Sequence, residues 1–188
     1  MKDTGNRFQA SARMLRNTHA LTAIAMLGAL SIILGYFSFQ IGNVLKISFA
    51  FLPQEAAAFL FGPVATPIMG AVMDIINYLI KPTGPFFPGF TISAALTGLI
   101  AGLGLFRRPL SVKRTAVTLF INMVLVNVVL NTLWLSILYG QAYKVILPMR
   151  IVKELIMWPI QTALLFAMLK AVDRIGILGR LESRFAGR

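Results

Sequence analysis

Lys46-ISFAFLPQEAAAFLFGPVATPIMGAVMDIINYLI-Lys81 places 34 residues between two lysines, with two acids and a Gly62-Pro63 break inside the run. Whether this stretch crosses a membrane once or twice sets the topology of the whole chain. A bilayer crossing takes roughly 20 apolar residues in helical form, so the length alone admits either reading. Proline cannot continue a helix and glycine tolerates a turn, which makes Gly62-Pro63 the natural place for two short crossings to meet.

The flanking sequence settles that this is a membrane protein. Of 188 residues, 57% are hydrophobic and 13% charged, against about a quarter charged in a soluble domain. No charge occurs from Asn17 to Leu45, and we place a first crossing at Ala20–Ser38. Two further uncharged runs, Pro82–Phe106 and Thr115–Tyr143, hold crossings near Phe90–Leu105 and Thr118–Tyr139. The last is expected at Ile151–Val172. Basic residues precede the first run, but it is too long for a signal-peptide core and reads as a retained span.

The 18 Lys and Arg against 6 Asp and Glu decide the count, because cytoplasmic loops collect cations. With six crossings, the N-terminal tail (Lys2, Arg7, Arg13, Arg16), the Arg107–Arg114 loop and the C-terminal part (from Lys170 to Arg188) put thirteen cations on one side and five on the other. Five crossings split them eight against ten, with no bias. The expected fold class is therefore an all-α integral membrane protein, a six-transmembrane-helix bundle with N- and C-termini cytoplasmic. It forms a single membrane domain over 1–188: a basic segment 1–18, the bundle 19–172, and a basic tail 173–188. In the tail Ile175, Leu178, Leu181 and Phe185 recur at helical spacing, which suggests either an amphipathic interfacial helix or a partly ordered segment held by anionic lipid. The net charge of +12 is thus a topology signal, and no nucleic-acid partner is expected.

Ionisable groups at membrane depth cost about 2.5 to 3.5 kcal/mol each, so they face the protein interior and mark function. Asp74, Asn77, Tyr78 and Lys81 stand at i, i+3, i+4 and i+7, on one helical face. Asn127, Asn131 and Trp134 form a second stripe, and Arg150, Lys153, Glu154, Trp158 and Gln161 a third. Six crossings put all three stripes in the outer half of the bundle. Lys81-Pro-Thr-Gly-Pro-Phe-Phe-Pro-Gly-Phe90 joins them there as a stiff aromatic lid. Stacking faces beside cations suit a planar ligand carrying negative charge. Against this stands a plainer reading, in which Arg150 and Lys153 snorkel as anchors and Asp74 forms a structural pair. Glu55 fits structural hydrogen bonding and ligand contact equally, and His19 reads as interfacial. Ala25 and Ala29, four apart on the first crossing, offer a small-residue face for a partner helix or for packing within the chain.

There is no cysteine and a single histidine, so disulfides, thiolate chemistry and a metal site are not expected, nor is a cofactor. No nucleotide-binding, zinc-protease or nucleophile-elbow motif occurs. An enzyme has little to stand on, although a membrane enzyme acting on a lipid or prenyl phosphate is a reading that Asp74, Glu55 and the basic loops leave open.

Several blocks resemble the substrate-binding S-components of energy-coupling factor (ECF) vitamin transporters, in particular the folate-specific branch. They are Ala20–Leu34 with Ala25-x-x-x-Ala29, Ile47-Ser-Phe-Ala-Phe-Leu-Pro53, Leu60-Phe-Gly-Pro63, Asp74 with Tyr78, Pro82-Thr-Gly-Pro-Phe-Phe-Pro-Gly-Phe-Thr91, Ala94-Ala-Leu-Thr-Gly-Leu99 and Asn131-Thr-Leu-Trp-Leu135. The resemblance implies a multi-pass protein of a prokaryotic cell membrane that binds folate from outside. It would deliver the vitamin through a transmembrane coupling subunit, EcfT, and two ATPase subunits, with Ala25 and Ala29 touching the coupling subunit. Candidate ligand contacts, taken mainly from the stripes, are Asp74, Asn77, Tyr78, Lys81, Phe87, Phe90, Thr91, Asn131, Trp134, Arg150 and Lys153. From the residues alone, riboflavin, thiamin or another charged aromatic vitamin fits as well.

Overall fold

The computed structural model describes residues 2–37, 39–41, 45–82, 84–140 and 143–174. An amphipathic helix α1 (Lys2–Leu15) leads into α2 (Thr18–Tyr36), where the Asn17 side chain accepts the His19 amide and caps the helix start. Two short strands follow, β1 (Phe39–Ile41) and β2 (Leu45–Ile47), then α3 (Phe51–Ile80), α4 (Pro88–Leu105), α5 (Val112–Asn122), a π-helical segment (Met123–Leu130), α6 (Asn131–Tyr139) and α7 (Tyr143–Arg174).

The decisive break is real. Gly62 holds φ 82° and ψ −166° inside α3, a conformation that residues with a Cβ rarely adopt. Pro63 then starts a second limb, where its missing N–H costs nothing. The chain reverses there. Gln54 Nε2 lies 3.1 Å from where a Cβ on Gly70 would sit, whereas a continuous helix between those positions would separate them by about 24 Å. Residues 46–81 thus pass through the bundle twice, as the charge distribution required. Among the described residues, five helices are long and apolar enough to cross a membrane, and the reversal within α3 makes six passes.

The first limb, 51–61, is only about 16 Å long, half the ~30 Å of a hydrocarbon core. Residues Glu55 to Pro63 are buried without interruption, so this limb is the central post of the bundle, apolar but for Gln54 and Glu55, which hydrogen-bond to Ala94 and Asn122. The second limb runs antiparallel to α4 in a fixed register. A Cβ on Gly102 would come within 2.6 Å of Pro63 Cα, so only glycine permits that approach. Further along, Asp74 meets Thr91.

The basic N-terminal segment does more than the sequence suggested. Ser11, fully buried, donates its hydroxyl to the Phe61 carbonyl (2.5 Å) and accepts the Val64 and Ala65 amides (3.0 and 3.3 Å). It caps both sides of the reversal from another helix. Phe61, Phe106, Leu165 and Leu169 form the dry core at this end.

The fold is the expected helical bundle with one addition, the β1–β2 ribbon, in which Phe39 pairs with Ile47 and Gln40 with Lys46. The expected tail helix over 175–188 lies outside the described residues. Exposed Met26, Leu79, Ile92 and Ile156 give the outer surface the apolar character that lipid contact demands.

Replacing Gly62 by Ala should lower stability by about 1 to 3 kcal/mol through backbone strain, with the Phe106 ring adding a clash. Ser11→Ala should cost about 1 to 2 kcal/mol as a lost cap. Thermal unfolding in detergent reads both, and a Gly62→Ala protein that melts with the wild type would show that the turn does not need glycine.

Candidate functional site

The end of the bundle opposite the Gly62 turn contains a cavity of about 420 Å³, within the size range of small-molecule sites. It exists because the first limb of α3 is short: Ser48 and Phe51 line the cavity, so the limb begins beneath it and leaves open the space a full-length helix would fill.

Each wall brings one stripe. From α3, Asp74, Asn77, Tyr78 and Lys81 all line the cavity. Asn127 and Asn131 face it from the fifth pass, and Arg150, Lys153, Glu154 and Gln161 from α7. Phe86, Phe87 and Phe90 complete the rim. Phe86 packs on Tyr78 with ring centroids 5.1 Å apart and Phe87 on Phe90 at 6.1 Å. Lys81 Nζ stands 5.2 Å from the centre of the Tyr36 ring, a cation–π contact at the mouth.

Three expected residues stand elsewhere. Thr91 does not line the cavity but donates its hydroxyl to Asp74 Oδ2 at 2.8 Å, and so orients that carboxylate. Trp134 lies behind Phe87, centroids 5.5 Å apart, and its indole N–H donates to Ser93 Oγ at 3.1 Å. Trp158 leaves its stripe altogether, stacking edge-on against Phe120 and donating to the Ala116 carbonyl.

The π-helical segment explains part of this. A π turn is wider than 3.6 residues, and the Thr132 hydroxyl reaches the Asn127 carbonyl five residues back. Asn122 and Asn127, also five apart, then serve neighbouring layers. Asn122 Nδ2 reaches Glu55 Oε1 at 3.4 Å in the buried interior, which makes Glu55 a structural group away from the cavity. Asn127 donates from Nδ2 to Glu154 Oε2 at 3.3 Å, and its Oδ1 accepts from Asn131 Nδ2 at 3.4 Å. Glu154, only 2% exposed, also accepts from Lys153 at 2.9 Å. Asn127 and Glu154 belong to the expected stripes but not to the expected contacts. The signal for them was burial of an acid one helical turn from Arg150.

Charge at the wall comes from Lys81, Arg150 and Lys153 against Asp74 and Glu154, a net cationic lining. Among the described residues no three His, Cys, Asp or Glu come together as a metal site. The arrangement can hold a flat ring between aromatic faces, satisfy its polar edge, and neutralise an acidic group.

The family model for "ECF transporter, substrate-specific component" matches residues 19–169. This chain belongs to that family. It is a multi-pass membrane component of a prokaryotic transporter. The S-component is 35% identical to the folate transporter FolT of Clostridium novyi over 89% of this chain and 97% of the relative. It is 32% identical to FolT of Leuconostoc mesenteroides over 81% and 85%, and 28% identical to the riboflavin transporter RibU of Staphylococcus aureus over 69% and 72%. Among solved structures, FolT bound with folic acid superposes with a TM-score of 0.75 at 31% identity, covering 80% of this chain and 92% of that one.

Asn127→Ala in the S-component should lower stability by roughly 1 to 3 kcal/mol, since it strips a buried carboxylate of a donor. Thermal unfolding without ligand checks this, and an unchanged midpoint would show that Glu154 does not depend on Asn127.

Proposed function

We propose that this S-component binds folate with high affinity from outside the cell and hands it to an ATP-driven complex with the coupling subunit EcfT and two ATPase subunits. The observation that carries this is the cavity itself, where an aromatic rim, a net cationic wall and buried acceptors share one end of the bundle. Folate has a flat pterin, a second aromatic ring and a dianionic glutamyl end, and each has a counterpart there. The FolT relatives of similar length support the choice of vitamin. The cation count puts the Gly62 end in the cytoplasm and the cavity mouth outside.

The role is binding and delivery without a catalysed step. For delivery, α2 offers a suitable surface. Ala20, Ile24, Gly28 and Ser31 point into the bundle, while Ala25 and Ala29 lie exposed on the opposite face. Small residues at that spacing allow a partner helix to approach closely, which fits a coupling subunit.

Isothermal titration of the purified protein with folic acid and with riboflavin tests the vitamin. Tight binding of folic acid is expected, and tight riboflavin binding without a folic acid signal would move the assignment. Arg150→Ala should weaken folic acid by roughly 2 to 5 kcal/mol if the guanidinium is desolvated against ligand. Ala25→Trp with Ala29→Trp should leave binding intact and abolish uptake in cells carrying the coupling module; lost binding would place those alanines in the bundle's own packing.

A further inference from the structure

Four buried side-chain atoms find no hydrogen-bond partner among the described residues: Glu55 Oε2, Asn122 Oδ1, Asn131 Oδ1 and Arg150 Nε. The last two line the cavity and belong to the site already described. The first two belong to residues that touch each other, Asn122 Nδ2 donating to Glu55 Oε1 at 3.4 Å. Glu55 is 2% exposed and Asn122 5%, and neither lines the cavity.

The pair lacks one donor. Asn122 has two amide N–H groups and both are in use, since Nδ2 also donates to the Thr97 carbonyl at 3.5 Å. That carbonyl can only accept, so the amide nitrogen must face it, and Oδ1 is left as a pure acceptor. An ionised Glu55 adds a second pure acceptor and a charge, in a limb buried without interruption from Glu55 to Pro63. Among the described residues no cation pairs with it, and the one hydrogen bond it receives comes from a neutral amide. A buried charge without a counter-ion is costly. A hard cation needs about six oxygen ligands, whereas two oxygens are unpartnered here. A single proton on Oε2 removes the charge and supplies the missing donor to Asn122 Oδ1.

We propose that Glu55 is a proton-binding site inside the membrane: a neutral carboxylic acid locked in a cyclic acid–amide pair with Asn122. The pair ties the first limb of α3 to α5, and the second N–H of Asn122 ties both to α4 through Thr97. Asn122 is the last residue of α5, and the π-helical segment begins at Met123. The proton thus holds the wide turn in register at its start. The site is separate from the cavity and does not depend on which ligand binds there.

Infrared spectroscopy of the purified protein at neutral pH tests this, because a carboxylic acid and a carboxylate absorb in separate regions. The wild type should show a carboxylic-acid C=O band that a glutamate-specific 13C label shifts. The chain has three glutamates, Glu55, Glu154 and Glu182, and Glu55→Gln should remove the labelled band. Should that variant fail to fold, the doubly substituted Glu154→Gln, Glu182→Gln chain leaves Glu55 as the sole glutamate and should retain the band. Thermal unfolding adds a rescue. Gln offers an N–H where the acid offers its O–H, so Glu55→Gln should unfold with the wild type. Glu55→Ala and Asn122→Ala strand the partner's buried atoms and should unfold several degrees lower. A wild type without a labelled acid band, or a band that persists in Glu55→Gln, would overturn the proposal. So would a Glu55→Gln protein that unfolds as early as Glu55→Ala, since the pair would then need the charge.

Discussion

The structure depends on one reversal. At Gly62 the backbone adopts a conformation open to glycine, and Pro63, the Ser11 hydroxyl and the Gly102 approach fit around it. The turn sets where the first limb ends, and the limb's eleven or so residues set how far it reaches. A helix of that length fills half of a membrane. The other half is left for side chains, and this is where the polar stripes meet. A longer first limb would fill the cavity; a continuous α3 would carry Asp74 and Lys81 away from it.

Placing charged groups in that space is costly, and the chain offsets the cost by pairing them. Lys153 and Asn127 hold Glu154, Thr91 holds Asp74, and Tyr36 receives Lys81. The pairing is incomplete at Asn131 and Arg150, so residual hydrogen-bonding capacity is concentrated on one wall. The opposite end, with Phe61, Phe106, Leu165 and Leu169, is a closely packed apolar core.

Much of this was legible in the sequence. Cation parity gave six passes, Gly62-Pro63 gave the turn, and helical spacing put Asp74, Asn77, Tyr78 and Lys81 on one face because that limb is a regular α-helix. Spacing failed where the helix is not regular. The π-helical segment shifts the phase between Asn122 and Asn131, which no 3.6-residue count reveals, and Trp134 backs the wall with its indole N–H on Ser93 and its ring against Phe87. Trp158 was misplaced for a different reason: an indole with an apolar body packs in a helix seam when a carbonyl is within reach. The ribbon left a signal, the alternation of Phe39, Ile41, Leu45 and Ile47 with Gln40 and Lys46 about Gly42-Asn43, hidden by the apolar run in which it sits. Ser11 left none, since its partners lie some fifty residues away.

The central claim is that residues 46–81 fold back on themselves, and a distance decides it. The chain has no cysteine, so a spin-label pair can be introduced cleanly at the exposed positions Phe49 and Leu79 and measured by electron–electron double resonance. Reversal at Gly62 brings both labels to the cavity end and predicts a separation well under half of the ~45 Å that thirty residues of uninterrupted helix would span. A distance near that full length would contradict the two-limbed α3, and with it the cavity.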